Sequence, residues 1–500
     1  MLKYKPHILI FALLSLAVLL VYSNTFQAEF HYDDSVNITR NDQIQIKSLD
    51  MESLKGALFA GGRRGTIYHP VLYRPVAMLS FALNYYFDGV MVLKYHIVNI
   101  SIHIITSAFL FLVILQMLNL PALRERFDGM QLQIAGIAAL LWALNPVQLT
   151  NITYIVQRQN AMAGMFYIMA ICFYLTARMG KKHLFYVLAA LSSILAMGSK
   201  ENAIMLPWSL LLLDLLLIQG ISWASIKRTG LVSLGLLGAS VLVIIGLQGV
   251  ETFSIDTLIQ GYTKRNFTLG QRLLTEPYVM ILYLMLLFMP FHQALCLTHT
   301  VPVSHGIFDP PHTLISILLI AGLIALAVMK AKQRPFISFA ILFFFLNHVV
   351  EGTVFPLELV YEHRNYIPSF FVFVPAAMVL VYAYYHWQKI VMVGATVCLA
   401  VFFGYNTYVQ NAAWKNTTSL WADVIQKNPD PRSVFNYAGG LFMENNYGEA
   451  LRYWDITHDF NNLYGTNYNQ DPRVIPYGTV MFMAGRNATK LRRKLAEVNQ

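Results

Sequence analysis

Long apolar runs separated by short polar loops make up most of the chain up to residue 408. An α-helix needs about 20 consecutive apolar residues to cross a bilayer. We therefore predict an all-α polytopic membrane protein with an odd number of spans, eleven being the best count. The predicted spans lie near residues 8–23, 96–117, 132–145, 161–177, 184–198, 202–219, 230–248, 314–330, 335–350, 366–385 and 390–408.

The basic residues of the loops predict how these spans are oriented, because Lys and Arg collect in short cytoplasmic loops. Four loops are marked in this way, by Arg124 and Arg126, by Arg178, Lys181 and Lys182, by Lys227 and Arg228, and by Lys330, Lys332 and Arg334. The first segment is then a signal anchor with its N-terminus inside. The extracytoplasmic parts are loops 24–95, 146–160, 199–201, 249–313 and 351–365 and the tail after residue 409.

Two further segments and the tail depart from this alternation. Residues 277–297 are apolar enough to cross, but a crossing there would put a charged loop on the wrong side, so we predict a re-entrant or in-plane segment. Residues 67–87 carry polar side chains among apolar ones and predict an interfacial helix. The tail, 409–500, has the spacing of a tetratricopeptide-like helix pair that caps the outer loops. We thus divide the chain into a membrane domain, 1–408, and this tail.

Composition agrees with a membrane protein and excludes several other classes. Charged residues are 12% of the chain, against about 25% in soluble domains. The net charge of +10 follows from the basic cytoplasmic loops, so it indicates no nucleic-acid partner. Three scattered cysteines give no disulfide framework, and His299, His305 and His312 lack metal-ligand spacing. Phosphate-binding glycine loops and a nucleophile elbow are also missing from the sequence.

Two adjacent carboxylates, Asp33 and Asp34, follow the first span. A carboxylate shielded from water by a bound substrate accepts the proton of a hydroxyl as a general base. The alternative is that this pair only starts a loop or caps a helix, as Asp residues after a span often do. Neighbouring residues of an extended loop point to opposite sides, so only one carboxylate faces the hydroxyl, and we favour Asp33.

Four more polar clusters lie at span boundaries on the predicted outer side. Such residues are costly unless they line a cavity or pair with each other. Taken alone, Arg74 could reach to the headgroups, Lys200 and Glu201 could form a surface turn, and Glu362 and Arg364 could be a structural ion pair. Together they predict an outward-facing cavity in which cations stabilise a leaving phosphate. The candidate phosphate ligands are Arg74, Arg158, Lys200 and Arg364, and the supporting residues are His31, Tyr73, Glu201, Glu362, His363 and Tyr366.

The clusters, in this order, resemble motifs of the membrane O-mannosyltransferases that carry tetratricopeptide tails. The resemblance extends from residue 30 to residue 450. It rests on Tyr73-Arg74-Pro75 with Asn84, on Tyr95-His96-Ile97-Val98-Asn99 with His103, on Asn145-Pro146-Val147 with Arg158, on Ser199-Lys200-Glu201 with Asp214, and on Glu362-His363-Arg364-Asn365-Tyr366-Ile367-Pro368-Ser369. This chain has Asn145 where the family usually has His, and Asn151 where it often has Glu.

The resemblance implies a GT-C type fold, a polyprenyl-phosphate sugar donor and a catalytic acidic pair in the first outer loop, which Asp33 and Asp34 match. The short tail resembles bacterial relatives, some of which glycosylate surface proteins such as pilins. An inner-membrane protein with its active site and C-terminus on the periplasmic side is therefore expected. No cofactor is certain, and a divalent metal ion is left open.

Three functions follow from these observations. The first is an inverting glycosyltransferase that acts on a Ser or Thr of an exported protein, or on a glycan or lipid. The second is a ligase that moves a lipid-linked oligosaccharide, which would need more cationic contacts for a pyrophosphate. The third is a transporter or a non-catalytic scaffold, although the sequence lacks the inverted repeats typical of transporters.

Overall fold

The computed structural model of the protein describes residues 5–60, 74–180, 182–248, 255–263, 265–464 and 476–498. Within these ranges the chain is helical and contains no strand, which confirms the all-α class. The α-helices are α1 (Lys5–Val21), α2 (Met51–Leu58), α3 (Pro75–Asp88), α4 (Val92–Leu118), α5 (Pro121–Arg124), α6 (Gln131–Leu144), α7 (Arg158–Gly180), α8 (His183–Met197), α9 (Leu206–Leu213), α10 (Trp223–Gln248), α11 (Ile255–Tyr262), α12 (Leu269–Phe288), α13 (His312–Lys330), α14 (Pro335–His348), α15 (Val374–His386), α16 (Lys389–Ala412), α17 (Thr417–Lys427), α18 (Pro431–Met443), α19 (Tyr447–His458), α20 (Phe460–Tyr464) and α21 (Pro476–Val498).

Many helices are long and apolar enough to be spans, which confirms a polytopic membrane protein. Seven segments of the described chain meet both conditions: Val92–Leu118, Ile155–Gly180, Glu201–Gln219, Leu269–Phe288, His312–Lys330, Pro368–His386 and Lys389–Lys415. An eighth would form if Pro121–Phe127 and Gln131–Leu144, bent by 98° against each other, count as one. Three shorter apolar helices are Pro6–Val21, His183–Met197 and Pro335–His348. The predicted count of eleven is therefore not confirmed.

The segment predicted to be re-entrant or in-plane, 277–297, is α-helical in its first part. Residues 277–288 belong to a continuous 20-residue helix, α12, which begins eight residues earlier and contains Pro277 without breaking there. The helix starts at Leu269 because Thr268 and Gln271 form a capping box, in which each side chain bonds the other residue's backbone N–H. This segment also passes the length and hydropathy conditions for a span.

The predicted interfacial helix, 67–87, lies partly outside the described residues. Its described part is α3, whose side chains Phe81 and Ala82 are fully buried. They pack with Ile38, Ile44 and Ala57 in a small apolar core of their own. The first loop therefore folds as a compact subdomain beside the bundle.

The central bundle packs α4 against α6 and α7, and α6 against α15 and α16. At its centre the indole of Trp142 lies 5.0 Å from the ring of Tyr366 and 5.0 Å from that of His103. The Tyr366 hydroxyl pairs with His103 Nδ1 at 2.9 Å, and His103 Nε2 pairs with the Ala143 carbonyl at 3.0 Å. A neutral imidazole satisfies both bonds, so these buried polar groups stabilise the bundle.

The tail packs on the bundle rather than standing apart. Its helices α17, α18, α19 and α21 pack in succession, as in a tetratricopeptide-like array. The Lys427 ammonium donates to the carbonyls of His292 and Leu295 at 2.7 and 3.1 Å. The Asn428 amide donates to the Thr298 carbonyl at 2.9 Å. These contacts hold the loop between α12 and α13 against the first tail helix.

We expect Gly164→Ala to lower the free energy of unfolding by about 1–3 kcal/mol, the usual cost of overpacking. Gly164 lies on α7, and a Cβ there would sit 2.6 Å from the Tyr366 ring. Gly235→Ala is the matched control, because its Cβ meets no atom within 4 Å on α10. Thermal unfolding of both purified variants measures the difference. Equal melting temperatures would show that Tyr366 does not pack against α7 as described.

Candidate functional site

The two adjacent carboxylates of the first loop have opposite environments. Asp33 is exposed, whereas Asp34 is fully buried. The prediction assumed an extended loop, but Asp33 and Asp34 begin a helical turn that continues as a π-helix over Ser35–Thr39. The two side chains are separated by this turn and by the bonds that Asp34 makes, not by strand-like alternation.

Asp34 connects two loops through its carboxylate. Oδ1 accepts from the Val156 backbone N–H at 2.6 Å, and Oδ2 accepts from the His31 N–H at 2.8 Å. Burial raises the pKa of Asp34 to about 8, although the backbone N–H groups favour its ionised form. A carboxyl group with both oxygens bonded and no exposed surface has no open side for a substrate. Asp34 therefore joins two loops, and although it precedes the π-helix its side chain makes no helix-capping bond.

The backbone of Asp33 is fixed while its side chain faces solvent. Its N–H donates to the Tyr154 hydroxyl at 3.0 Å, and its carbonyl accepts from the Asn37 amide at 2.8 Å. The preceding residue, Tyr32, has φ +41°, a left-handed conformation that is uncommon for a bulky side chain. Such strain often accumulates at functional sites. The turn places the Asp33 carboxylate at the surface where loops of the bundle meet.

The start of the tail fixes this turn from the other side. The Trp414 carbonyl pairs with His31 Nε2 at 2.6 Å, and the ring of Trp421 lies edge-on to Tyr32 at 5.7 Å. His31 is buried, and burial lowers its pKa to about 4. Its neutral imidazole therefore supports the loop and does not supply a proton at neutral pH.

Three of the four predicted cations lie around His363. The pKa of this half-buried histidine is held well below its usual range, first by burial and then by the positive charges of Lys200, Arg364 and Arg74. Arg74 is held by Glu201 at 2.5 and 2.9 Å and by the Gln159 amide oxygen. The predicted clusters around Arg74, Lys200 and Arg364 are thus neighbours in the fold.

Lys200 belongs to a buried polar network. Its ammonium lies 3.0 Å from Glu351 Oε1 and donates to Asn160 Oδ1 at 3.1 Å. Asn160 in turn donates to the His363 carbonyl at 2.6 Å. Burial raises the pKa of Glu351, but the charges of Lys200 and Arg364 outweigh this, so its pKa is lowered. The network fixes Lys200 and His363 relative to each other.

Two charged residues of this region, Glu351 and Arg272, were not predicted from the sequence. Arg272 is fully buried on α12 and donates to the carbonyls of Glu351 and Thr353 at 2.7 and 2.8 Å. It also pairs with Glu276 at 2.7 Å. The spacing of four between Arg272 and Glu276 is the sequence signal that could have indicated this pair on a helix.

Arg158 was predicted to be a phosphate ligand, and its surroundings in the fold correct this prediction. It is fully buried, and its guanidinium donates to the amide oxygens of Asn99 and Asn84 at 2.6 and 2.8 Å and to the Tyr95 carbonyl at 3.1 Å. The guanidinium carbon also lies 4.7 Å from the centre of the Phe81 ring. Because its donors are bonded inside the protein, Arg158 holds α3, α4 and α7 together and has no donor to offer a phosphate.

The remaining supporting residues have separate positions. Tyr366 lies in the bundle core, where its hydroxyl is bonded to His103, so it supports packing rather than the site. Glu362 Oε1 accepts from the Cys296 N–H at 2.7 Å and pairs with His299 at 2.9 Å. It therefore anchors the loop before α13. Tyr73 lies outside the described residues.

The structure also bears on metal binding. Among the residues it describes, no group of three or more His, Cys, Asp or Glu side chains is arranged to hold a metal ion. Asp34, the acidic neighbour of Asp33, is occupied by backbone N–H groups.

Comparison with curated proteins finds similar sequences among protein O-mannosyl-transferases. Examples are tmtc2 of Xenopus laevis, 29% identical over 167 residues (31% of this chain, 17% of the relative), TMTC4 of Homo sapiens, 26% over 161 residues (31% and 21%), and TMTC1 of Mus musculus, 28% over 168 residues (33% and 16%). These matches confirm the resemblance predicted from the motifs. The chain aligns with about a fifth or less of each relative's length.

Two further comparisons return nothing. No protein-family model matches the chain. No solved structure matches it.

We expect Arg158→Met to lower stability by several kcal/mol, because it leaves the oxygens of Asn84 and Asn99 buried without a donor, at about 1–3 kcal/mol each. Thermal unfolding of the purified variant measures this loss. Arg452→Met is the matched control, since Arg452 has 67% of its side chain exposed and pairs with Glu449 at the surface of the tail. Wild-type stability combined with weaker donor binding would return Arg158 to the phosphate site.

Proposed function

We propose that this protein is an inverting glycosyltransferase, which moves a sugar from a polyprenyl-phosphate donor to a Ser or Thr hydroxyl of an exported protein. The observation that carries the proposal is an exposed carboxylate, Asp33, close to the cations grouped around His363. The loop that carries Asn151 and Tyr154 links the two. The Tyr154 hydroxyl accepts from the Asp33 N–H at 3.0 Å, and Asn151 accepts from the Asn160 amide, which also donates to the His363 carbonyl at 2.6 Å.

The proposed reaction is a single displacement. The acceptor oxygen attacks the anomeric carbon of the donor sugar while the bond from that carbon to the phosphate oxygen breaks. The hydroxyl proton passes to the Asp33 carboxylate, which acts as general base. The bonding electron pair leaves with the polyprenyl phosphate, whose growing negative charge is stabilised by the cations. Attack opposite the leaving group inverts the anomeric configuration.

The number of cations suits a donor with a single phosphate. Arg74 and Lys200 are paired with Glu201 and Glu351, and Arg364 donates to the Leu359 carbonyl at 3.0 Å. A pyrophosphate donor would need more cationic contacts than this group offers, so we favour the glycosyltransferase over the oligosaccharide ligase.

The positions of the cations favour Arg74 as the first residue to contact the donor phosphate. It is the least buried of the three, with 18% of its side chain exposed. Lys200 and Arg364 are almost fully buried and would act on the phosphate through short-range electrostatics. The pairing of Lys200 with Glu351 and the hydrogen bond from Arg364 to the Leu359 carbonyl keep both in place before the donor binds, as preorganised stabilisation requires.

The relatives support the reaction class and suggest the sugar. Their names describe protein O-mannosyl-transferases, so mannose is the first donor sugar to test. An exported acceptor such as a pilin, a bacterial inner membrane and a periplasmic active site remain part of the proposal. They are supported by the loop charges and by the resemblance of the motifs.

We expect Asp33→Asn to reduce turnover by about 100- to 10,000-fold, the usual contribution of a general base. Its melting temperature should stay near wild type, because the replaced side chain is exposed. The measurement is transfer of radiolabelled mannose from polyprenyl-phosphate mannose by the full chain in nanodiscs, with release of polyprenyl phosphate counted separately.

Asp42→Asn is the matched control, an exposed aspartate in the same loop, and should keep full turnover. If Asp33→Asn and the double variant with Asp34→Asn both turn over normally, the first loop has no part in the chemistry. The scaffold hypothesis would then lead.

A further inference from the structure

One tyrosine of the loop before α7 reaches the turn that carries Asp33. Tyr154 is almost fully buried, and its hydroxyl accepts from the Asp33 backbone N–H at 3.0 Å. The other backbone bond described for Asp33, from the Asn37 amide, lies within the same turn. Tyr154 therefore connects the backbone of the proposed base to the bundle.

The ring of Tyr154 is in turn held by the start of the tail. Its centre lies 5.5 Å from the indole of Trp414, which is almost fully buried and also lies edge-on to the His31 ring at 5.5 Å. The Trp414 carbonyl pairs with His31 Nε2 at 2.6 Å. One residue of the tail thus contacts His31, two positions before Asp33, and Tyr154, which bonds Asp33 directly.

The same two loops are joined once more where α16 ends. The Asn411 amide nitrogen donates to Asn24 Oδ1 and to Thr25 Oγ1, both at 2.6 Å. The Asn411 amide oxygen accepts from the Thr153 hydroxyl at 2.7 Å. Thr153 is the neighbour of Tyr154, so the junction between α16 and the tail fixes the loop of Tyr154 to the loop that leads to the proposed base.

The turn needs these contacts because its own conformation is unfavourable. Tyr32 has φ +41°, and a bulky residue keeps such a conformation only where its surroundings hold it. The bond to Tyr154 holds the peptide group that joins Tyr32 to Asp33. The ring of Trp421 holds the Tyr32 side chain, edge-on at 5.7 Å. Without the bond to Tyr154 this peptide group can relax, and the exposed Asp33 carboxylate moves with it.

We propose that Tyr154 is a positioning residue for the reaction, which acts through the Asp33 backbone and is held in place by Trp414 of the tail. This inference rests on the proposed function and deepens it. A general base must lie within hydrogen-bond reach of the proton that it accepts. In this role Tyr154 touches neither donor nor acceptor, so it contributes to kcat and not to donor binding. The tail thereby supports turnover without supplying a group to the reaction.

Tyr154→Phe gives the sharpest test, because it removes the hydroxyl and keeps the ring that packs against Trp414. We expect kcat to fall by about 10- to 100-fold, as a displacement of about 1 Å at a reacting group can cause. The KM for polyprenyl-phosphate mannose should not change. The measurement is transfer of radiolabelled mannose to short peptides with one central Ser or Thr, by the full chain in nanodiscs.

Tyr167→Phe is the matched control, because it also removes the hydroxyl of a buried tyrosine. The Tyr167 hydroxyl pairs with Ser209 and Asn347 in the bundle at 2.6 and 2.7 Å. This variant should have a lower melting temperature and a wild-type kcat. A similar fall of kcat in both variants would show that loss of stability, and not positioning, lowers turnover, and would overturn the inference.

Two further measurements test whether Tyr154 acts through Asp33. Added to Asp33→Asn, Tyr154→Phe should cause no further loss of turnover, because residues that act as a unit are not additive. Hydrogen exchange read by mass spectrometry should be about tenfold faster at the Asp33 amide in Tyr154→Phe, as expected for one lost hydrogen bond, and unchanged in Tyr167→Phe. Unchanged exchange at this amide in Tyr154→Phe would contradict the positioning role.

The part of the tail is tested at Trp414. Trp414→Phe keeps a ring against Tyr154 and should retain more turnover than Trp414→Leu, which removes it. Wild-type kcat in Trp414→Leu would show that the tail does not hold Tyr154. If Trp414→Leu does not fold, a wild-type rate of exchange at the Asp33 amide together with a wild-type kcat in Trp414→Phe supports the inference, and faster exchange with an unchanged kcat contradicts it.

The outcomes distinguish this inference from the proposed function. Normal turnover by Asp33→Asn contradicts the proposed base and with it the positioning role. Loss of turnover in Asp33→Asn with a wild-type kcat in Tyr154→Phe overturns the positioning role alone. A loss from Tyr154→Phe that is equally large in the Asp33→Asn background also overturns it, since Tyr154 would then act on another group.

Discussion

The site depends on a buried carboxylate that takes no direct part in the proposed chemistry. Asp34 bonds the N–H groups of His31 and Val156, and so ties the loop after α1 to the loop before α7. These loops are far apart in sequence, and both would otherwise leave backbone donors unsatisfied where apolar helices exclude water. Once they are joined, the Tyr154 hydroxyl reaches the Asp33 N–H, and the Asp33 side chain turns outward. The stability of the turn and the exposure of the proposed base therefore have one cause.

The exclusion of water by the apolar helices also explains why the cations occur in pairs. A lone charge at the end of a bundle is costly, so Lys200 pairs with Glu351, Arg74 with Glu201 and Arg272 with Glu276. The pairs also fix geometry, because Asn160 and Arg272 bind backbone carbonyls of the loop that carries Glu351 and His363. The tail contacts His31 of the first loop through Trp414 and the loop after α12 through Lys427, so it braces both loops.

Sequence patterns predicted the helical membrane class and most of the polar clusters, because both depend on local composition. They could not show that Arg158 is a structural residue whereas Arg74 is a candidate phosphate ligand. Arg158 is bonded by Asn84 and Asn99, and these side chains reach it only in the folded bundle. The helical turn at Asp33 was also missed, because contacts with Tyr154 and the tail hold it. The start of α12 was predictable in principle from the Thr268 and Gln271 capping pattern. Its continuation through Pro277 was not, because Pro more often ends a helix.

The central claim is that a lipid-linked phosphate binds at the cations around His363, within reach of Asp33. The most direct measurement is photo-crosslinking of the full chain in nanodiscs with a polyprenyl-phosphate mannose that carries a diazirine on the sugar, followed by peptide mapping. The account predicts labelled peptides from residues 29–34, 199–205 and 358–366, with labelling abolished by excess unmodified donor. Competable labelling confined to other segments of the chain would contradict it.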